Sequence, residues 1–131
     1  MNTPTFQFGS SIPVLRMLDE TLAREFYLDY LGFKIDWEHR FSDSPDSPLY
    51  MQISMGGAAL HLNGHATAET PVCEVRIPVV GVVAYCEYLN KKSSQFERQD
   101  VADPRYEGKP TDLNIIDPSN NHLVFWAREE L

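Results

Sequence analysis

Hydrophobic and polar positions along this chain follow two periods, one near two residues and one near 3.6, which take turns in a fixed order. Residues 11–17 read as a strand, with Pro13 suited to its beginning or to a sheet edge. Asp19 stands where a helix N-cap is wanted, and Glu20 follows in the first turn. Leu22, Phe26 and Tyr30 recur at i, i+4 and i+8 with Ala23 and Tyr27 beside them, and Gly32 takes the left-handed position after the helix. Residues 33–41 alternate strictly, residues 42–48 form a loop of Ser, Asp and Pro, and residues 49–54 alternate again. Gly56-Gly57 predicts a tight hairpin into a fourth strand over residues 58–63.

After a polar connection over residues 64–70 the same order starts again. A strand over 72–79 leads to a helix over 80–91 that buries Val83, Tyr85, Cys86 and Leu89. A weak strand over 96–101, a loop over 102–110, and strands over 111–116 and 121–127 around the turn Asp117-Pro118-Ser119-Asn120 complete it. Strand, helix and three strands thus occur twice, at a period of roughly 60 residues, with negligible identity between the halves.

In each half a helix must cover one face of its sheet, and the more apolar face is the one it covers. That places Phe33, Ile35, Trp37, Leu49, Met51, Ile53, Leu60 and Leu62 under the first helix. The opposite face carries Asp36, Glu38, Arg40, Tyr50, Gln52, Ser54, His61 and Asn63. In the second half Glu74 and Arg76 fall opposite Val75 and Ile77, and His122, Val124 and Trp126 fall opposite Leu123 and Phe125. A face mixing aromatics, amides and charges is too polar for a plain core and too aromatic for a merely solvated surface. It suits the lining of a cavity.

Composition narrows the partners. The 131 residues hold 11 Lys plus Arg against 19 Asp plus Glu, a formal net charge of −8. Nucleic acid is a poor partner for such a chain, because phosphate binding draws on Lys and Arg; a neutral or cationic small molecule suits the field better. No apolar run approaches the roughly 18 residues of a membrane span, and residues 1–10 lack the basic and apolar stretches of a signal peptide. A soluble, cytoplasmic protein is expected, with Cys73 and Cys86 as free thiols on apolar faces. There is no Gly-x-Ser-x-Gly elbow, no phosphate loop and no cysteine partnered by histidine.

Several stretches together carry a family likeness. The run Ile12-Pro-Val-Leu-Arg-Met17, then Ala23-Arg-Glu-Phe-Tyr27 and Leu31-Gly-Phe33, resembles the opening strand and helix of the glyoxalase, bleomycin resistance and extradiol dioxygenase (vicinal oxygen chelate) superfamily, and its bleomycin-resistance-like branch most closely. Asp117-Pro-Ser-Asn-Asn-His-Leu-Val-Phe125 resembles its closing hairpin, with Asn120 where glycine is usual. The resemblance implies one α+β domain over residues 1–131, built from two tandem βαβββ modules (about residues 8–64 and 71–128). Their mixed sheets would curl around a cavity, with helices on the convex faces, and a homodimer would share the cavities. The superfamily's metal enzymes take ligands at positions that map here to Ile12, His61, Glu74 and Val124, two donors and two aliphatic side chains. Two donors cannot hold a transition metal against water, although Glu38 or His122 could in principle substitute.

The resemblance therefore favours a metal-independent protein, with no cofactor, that sequesters an amphipathic or cationic compound. A metal-dependent glyoxalase- or dioxygenase-like enzyme using His61 and Glu74 is the alternative. A fold that serves only a protein partner is a third reading. His61 and Glu74 are expected to face one another across the cavity, as a ligand-orienting pair or as a plain hydrogen-bonded one. Trp126, Tyr50, Gln52 and Asn63 line it, with Trp126 able to stack on a planar ligand. Asp36 and Glu38 either attract a cation there or form a solvated stripe with Arg40. Trp37, by phase, belongs to the core. Arg105 and Tyr106 lie in a loop able to close over the cavity.

Overall fold

A computed structural model of the chain describes residues 3–92, 94–97, 99–100 and 112–130. β1 (Val14–Arg16) leads into α1 (Glu20–Arg24), which continues as a π-helical segment, Glu25–Leu31. β2 (Lys34–Arg40), β3 (Leu49–Met55) and β4 (Ala58–Asn63) follow. The second half runs β5 (Glu74–Val80), α2 (Val82–Asn90), β6 (Asp112–Ile116) and β7 (His122–Arg128). The first sheet has the order β1-β4-β3-β2 and the second β5-β7-β6. In each the opening strand pairs in parallel with the closing one, β1 with β4 and β5 with β7, and the other pairs are antiparallel. The repeated order is therefore a repeated topology, and the chain is α+β. The weak strand expected over 96–101 is not formed at the described positions 96, 97, 99 and 100. Val101 and the loop over 102–110, with Arg105 and Tyr106, lie outside the described residues.

Local chemistry sets the element ends. The Asp19 carboxylate accepts from the Leu22 N–H at 2.9 Å and caps α1. Gly32 closes the helix at φ 98°, its N–H donating to the Tyr27 carbonyl five residues back. That wider turn puts Phe26, Tyr27, Tyr30 and Leu31 all inward with Ala23, while Leu22, expected in the same stripe, is 37% exposed. In α2 the left-handed Gly81 is the N-cap, so the helix starts at Val82, two residues later than expected. Val82, Cys86 and Leu89 are consequently the buried stripe, and Val83 is exposed. Gly56, at φ 58°, makes the β3–β4 hairpin. Asn120, at φ 67°, makes the β6–β7 turn, which Asn tolerates better than other side-chain-bearing residues.

Both sheets bury their helix-covered faces in one continuous core, from Leu15, Met51 and Leu62 in the first half to Ile77, Leu113 and Phe125 in the second. A polar junction also ties the halves. The Tyr27 hydroxyl donates to Asp117 Oδ2 at 2.6 Å, and the backbone N–H groups of Ser119 and Asn121 donate to Oδ1. Arg16 reaches the carbonyls of Ser119, Ala68 and Thr70. Asn121 accepts from the Cys73 N–H and donates to the Arg16 carbonyl. The Asp-Pro-Ser-Asn-Asn stretch is thus a structural clasp, and burial pushes the Tyr27 hydroxyl well above the usual phenol pKa.

Candidate functional site

The face of the first sheet away from the helix is where polar and aromatic side chains converge. β3 offers Tyr50, Gln52 and Ser54, and β4 sets His61 opposite Gln52 and Asn63 opposite Tyr50. β2 departs from the alternation read in its sequence. Its pairing runs Ile35 to Ile53 and then Trp37 to Gln52, so Asp36 is the extra residue of a β-bulge. Beyond a bulge every side chain changes face. Trp37, expected in the core, lies instead on the open face. Its ring stacks on Tyr50 at 6.0 Å between centroids and 12° between planes, and it meets the His61 ring edge-on at 5.3 Å. It is 42% exposed.

The same bulge removes Glu38 and Arg40 from this face, correcting the expectation for both. Glu38 stands opposite the buried Met51 and ion-pairs with Arg24 of α1, and Arg40 Nη2 lies 2.6 Å from Glu20 Oε1. The side chains therefore tie β2 to the covering helix. The Arg40 guanidinium beside Glu20 holds that carboxyl below its usual range. Neither Glu38 nor Arg40 reaches the open face.

One row of hydrogen bonds crosses the sheet. The Asp36 carboxylate accepts from Ser54 Oγ at 2.9 Å and Gln52 Nε2 at 3.0 Å. Gln52 Oε1 lies 3.0 Å from His61 Nε2, and His61 Nδ1 lies 2.9 Å from the Tyr50 hydroxyl. The bond from Gln52, then that from Ser54, lowers the Asp36 pKa, while desolvation raises that of Tyr50. Asn63 uses its side-chain oxygen on the His65 N–H at 2.9 Å, in the turn that ends β4. His39, Phe41 and His65 extend the aromatic shelf, with Phe41 edge-on to His39 at 4.4 Å and to His65 at 4.8 Å. Lys34, in register with Ser54, adds a cation at its far end.

Glu74 and Trp126 stand apart from this group, on the second sheet. Glu74 opens β5 beside His122, and among the described residues no hydrogen bond or ion pair reaches its carboxylate. It does not pair with His61, whose two ring nitrogens are already engaged by Tyr50 and Gln52. Trp126 is half-buried with the Arg128 guanidinium 5.5 Å from its ring centroid, so that ring already has a cation partner. Of the expected lining, then, Tyr50, Gln52, His61, Asp36 and Asn63 share one face, and Trp37, His39 and Phe41 join them unforeseen. A separate cleft of about 510 Å³ lies between the hairpin tip at residues 55–58, β5 and Tyr85 of α2, and holds none of the expected site residues.

The donor set does not fit the metal centre of the superfamily's enzymes. Ile12 and Val124 offer no ligand atom, Val124 is buried, and the His61 nitrogens are committed to side chains. Among the described residues no group of three His, Cys, Asp or Glu could hold a metal ion. No helix among them is long and apolar enough to cross a membrane.

Two sheets with repeated topology and a polar-aromatic open face define a vicinal-oxygen-chelate type of fold. A family model described as glyoxalase superfamily protein matches residues 2–130, and the chain belongs to that superfamily. A search of curated protein sequences finds no match. Among solved structures, the chain is similar to a bleomycin-binding protein from the bleomycin-producing Streptomyces verticillus, complexed with copper(II)-bleomycin. Identity is 20% and TM-score 0.64, over 95% of this chain and 100% of that one. An antibiotic-binding protein from a Streptomyces species matches at 17% identity and TM-score 0.62, over 93% and 98%. A genomically encoded fosfomycin resistance protein from Listeria monocytogenes matches at 14% and 0.60, over 96% and 95%.

Proposed function

We propose that this protein binds an amphipathic or cationic aromatic small molecule on the open face of its first sheet. It would act by sequestering that molecule, in the cytoplasm, without a metal of its own, and as a homodimer in which the second copy encloses the open face. The observation that carries this reading is Trp37, laid parallel on Tyr50 yet 42% exposed, beside the Asp36 carboxylate. Trp37, Tyr50, Phe41 and the neighbouring histidine rings form one aromatic shelf over a hydrogen-bonded row, a ready stacking platform for a planar cation. Two proteins of similar fold, one bleomycin-binding and one antibiotic-binding, lend support.

Titration with bleomycin and with naphthylmethylammonium, followed by tryptophan fluorescence, tests the reading. Trp37→Ala should weaken binding by about tenfold, since such stacking contributes about 0.5–2 kcal/mol, and should leave the melting temperature nearly unchanged. Unchanged affinity would move the ligand off this face. Stoichiometric Ni²⁺, Mn²⁺, Fe²⁺ or Zn²⁺ lost in His61→Asn or Glu74→Gln would overturn the metal-independent reading. A monomer in sedimentation would overturn the shared enclosure.

A further inference from the structure

The hydrogen-bond row has a direction, and the direction is set at one end. An ionised carboxylate only accepts, so Asp36 accepts hydrogen bonds from Ser54 Oγ and Gln52 Nε2. With its amino group turned to Asp36, Gln52 presents Oε1 to the imidazole, and His61 Nε2 must be the nitrogen that carries hydrogen. In a neutral ring Nδ1 is then an acceptor, and the only proton that can fill the 2.9 Å gap is that of the Tyr50 hydroxyl. Tyr50 is left with lone pairs alone to offer at the edge of the shelf formed by its ring and Trp37.

Resting on the ligand-binding reading above, we infer that Gln52 and His61 are positioning residues that make Tyr50 an obligate hydrogen-bond acceptor. The ligand must therefore be an aromatic compound bearing an N–H or O–H donor at its edge, a protonated amine rather than a quaternary one. Asp36, at the start of the row, favours the charged form of such a donor. Lys34 sits beyond Asp36, at the end away from Tyr50 and His61, where its charge acts on the Asp36 carboxylate.

Two measurements on the whole protein at mildly alkaline pH test this. Long-range proton–nitrogen NMR correlation on the His61 ring should show one tautomer, protonated at Nε2, and Asp36→Asn should convert it to a mixture because Gln52 is then free to flip. A ring protonated at Nδ1 in the unmodified protein overturns the inference. The second measurement compares naphthylmethylammonium with its N-trimethyl analogue, which keeps ring and charge but has no donor. The donor should bind about tenfold tighter, as hydrogen bonds to charged groups are worth that much. Tyr50→Phe should reduce the ratio to about one, and Asp36→Asn should weaken both cations, the donor several-fold more, so that the ratio falls. Equal affinities in the unmodified protein overturn the inference and leave the binding reading standing. Binding of neither cation, with the expected tautomer present, overturns the binding reading and the inference with it.

Discussion

A Cβ atom on Gly64 would come within 2.4 Å of the Leu49 carbonyl oxygen and 3.0 Å of its nitrogen, both backbone atoms that cannot swing away. The close approach exists because the Gly64 N–H donates to that carbonyl at 2.8 Å where β4 leaves the sheet. Gly64→Ala should therefore cost about 1–3 kcal/mol, read as a lower urea midpoint at unchanged slope; an unchanged midpoint would mean that the end of β4 yields freely. At this scale some residues announce their roles in the sequence. Gly32 follows a helical stripe and Asn120 sits in an Asp-Pro turn, so a left-handed backbone could be expected at both. Gly64 was legible only as the start of a polar connection, since the atom it must avoid belongs to Leu49, far back in the chain, and no local pattern carries that. Asp36 was the costliest to miss. Nothing in Lys34-Ile-Asp-Trp-Glu-His-Arg40 marks a bulge, and a strict alternation assigned every later side chain of β2 to the wrong face.

At the scale of elements, the bulge gives β2 two uses. Asp36 and Trp37 go to the open face, and Glu38 and Arg40 go to α1, where they meet Arg24 and Glu20. The charge match was a weak signal in the sequence, because Glu20 and Arg24 at i, i+4 also pair with each other on the helix. The pairs are about one-third exposed, so their joint worth is modest. Their pH dependence is specific nonetheless. Glu20 has a folded-state pKa below its ordinary 4.5, so its contribution is complete above that value and is lost as pH falls through the lower folded value. Glu20→Gln should lower stability by at most about 1 kcal/mol near neutrality. The gap from the unmodified protein should close in acid, and added salt should shrink it. A gap that persisted at about pH 2, where carboxylates of this kind are protonated, would mean that the loss comes from packing and not from charge.

For the molecule as a whole, the repeat was legible because both halves share an order of periods, while the way the halves join was not. The core is continuous between them, and the clasp crosses from a helix of the first to a turn of the second through Tyr27 and Asp117. Such a junction predicts that the two modules unfold together, as one domain. Each half carries one tryptophan, Trp37 in the first and Trp126 in the second, so each can report on its own sheet. Urea unfolding of Trp126→Phe, seen through Trp37, and of Trp37→Phe, seen through Trp126, should each superimpose on circular dichroism of the same variant. Tyr27→Phe removes the 2.6 Å bond to a buried carboxylate and should shift both signals together, by about 1.5–3 kcal/mol. Asp117 would keep its bonds from Ser119 and Asn121, so the turn itself should survive. If fluorescence and circular dichroism separated, the halves would be independent folding units and the shared core only a contact. The open face of the first sheet would then depend on its own module alone. If the curves coincide, a substitution at the distant clasp acts on the shelf of Trp37 and Tyr50 only through the folded population, and apparent ligand affinity should fall only where that population begins to fall.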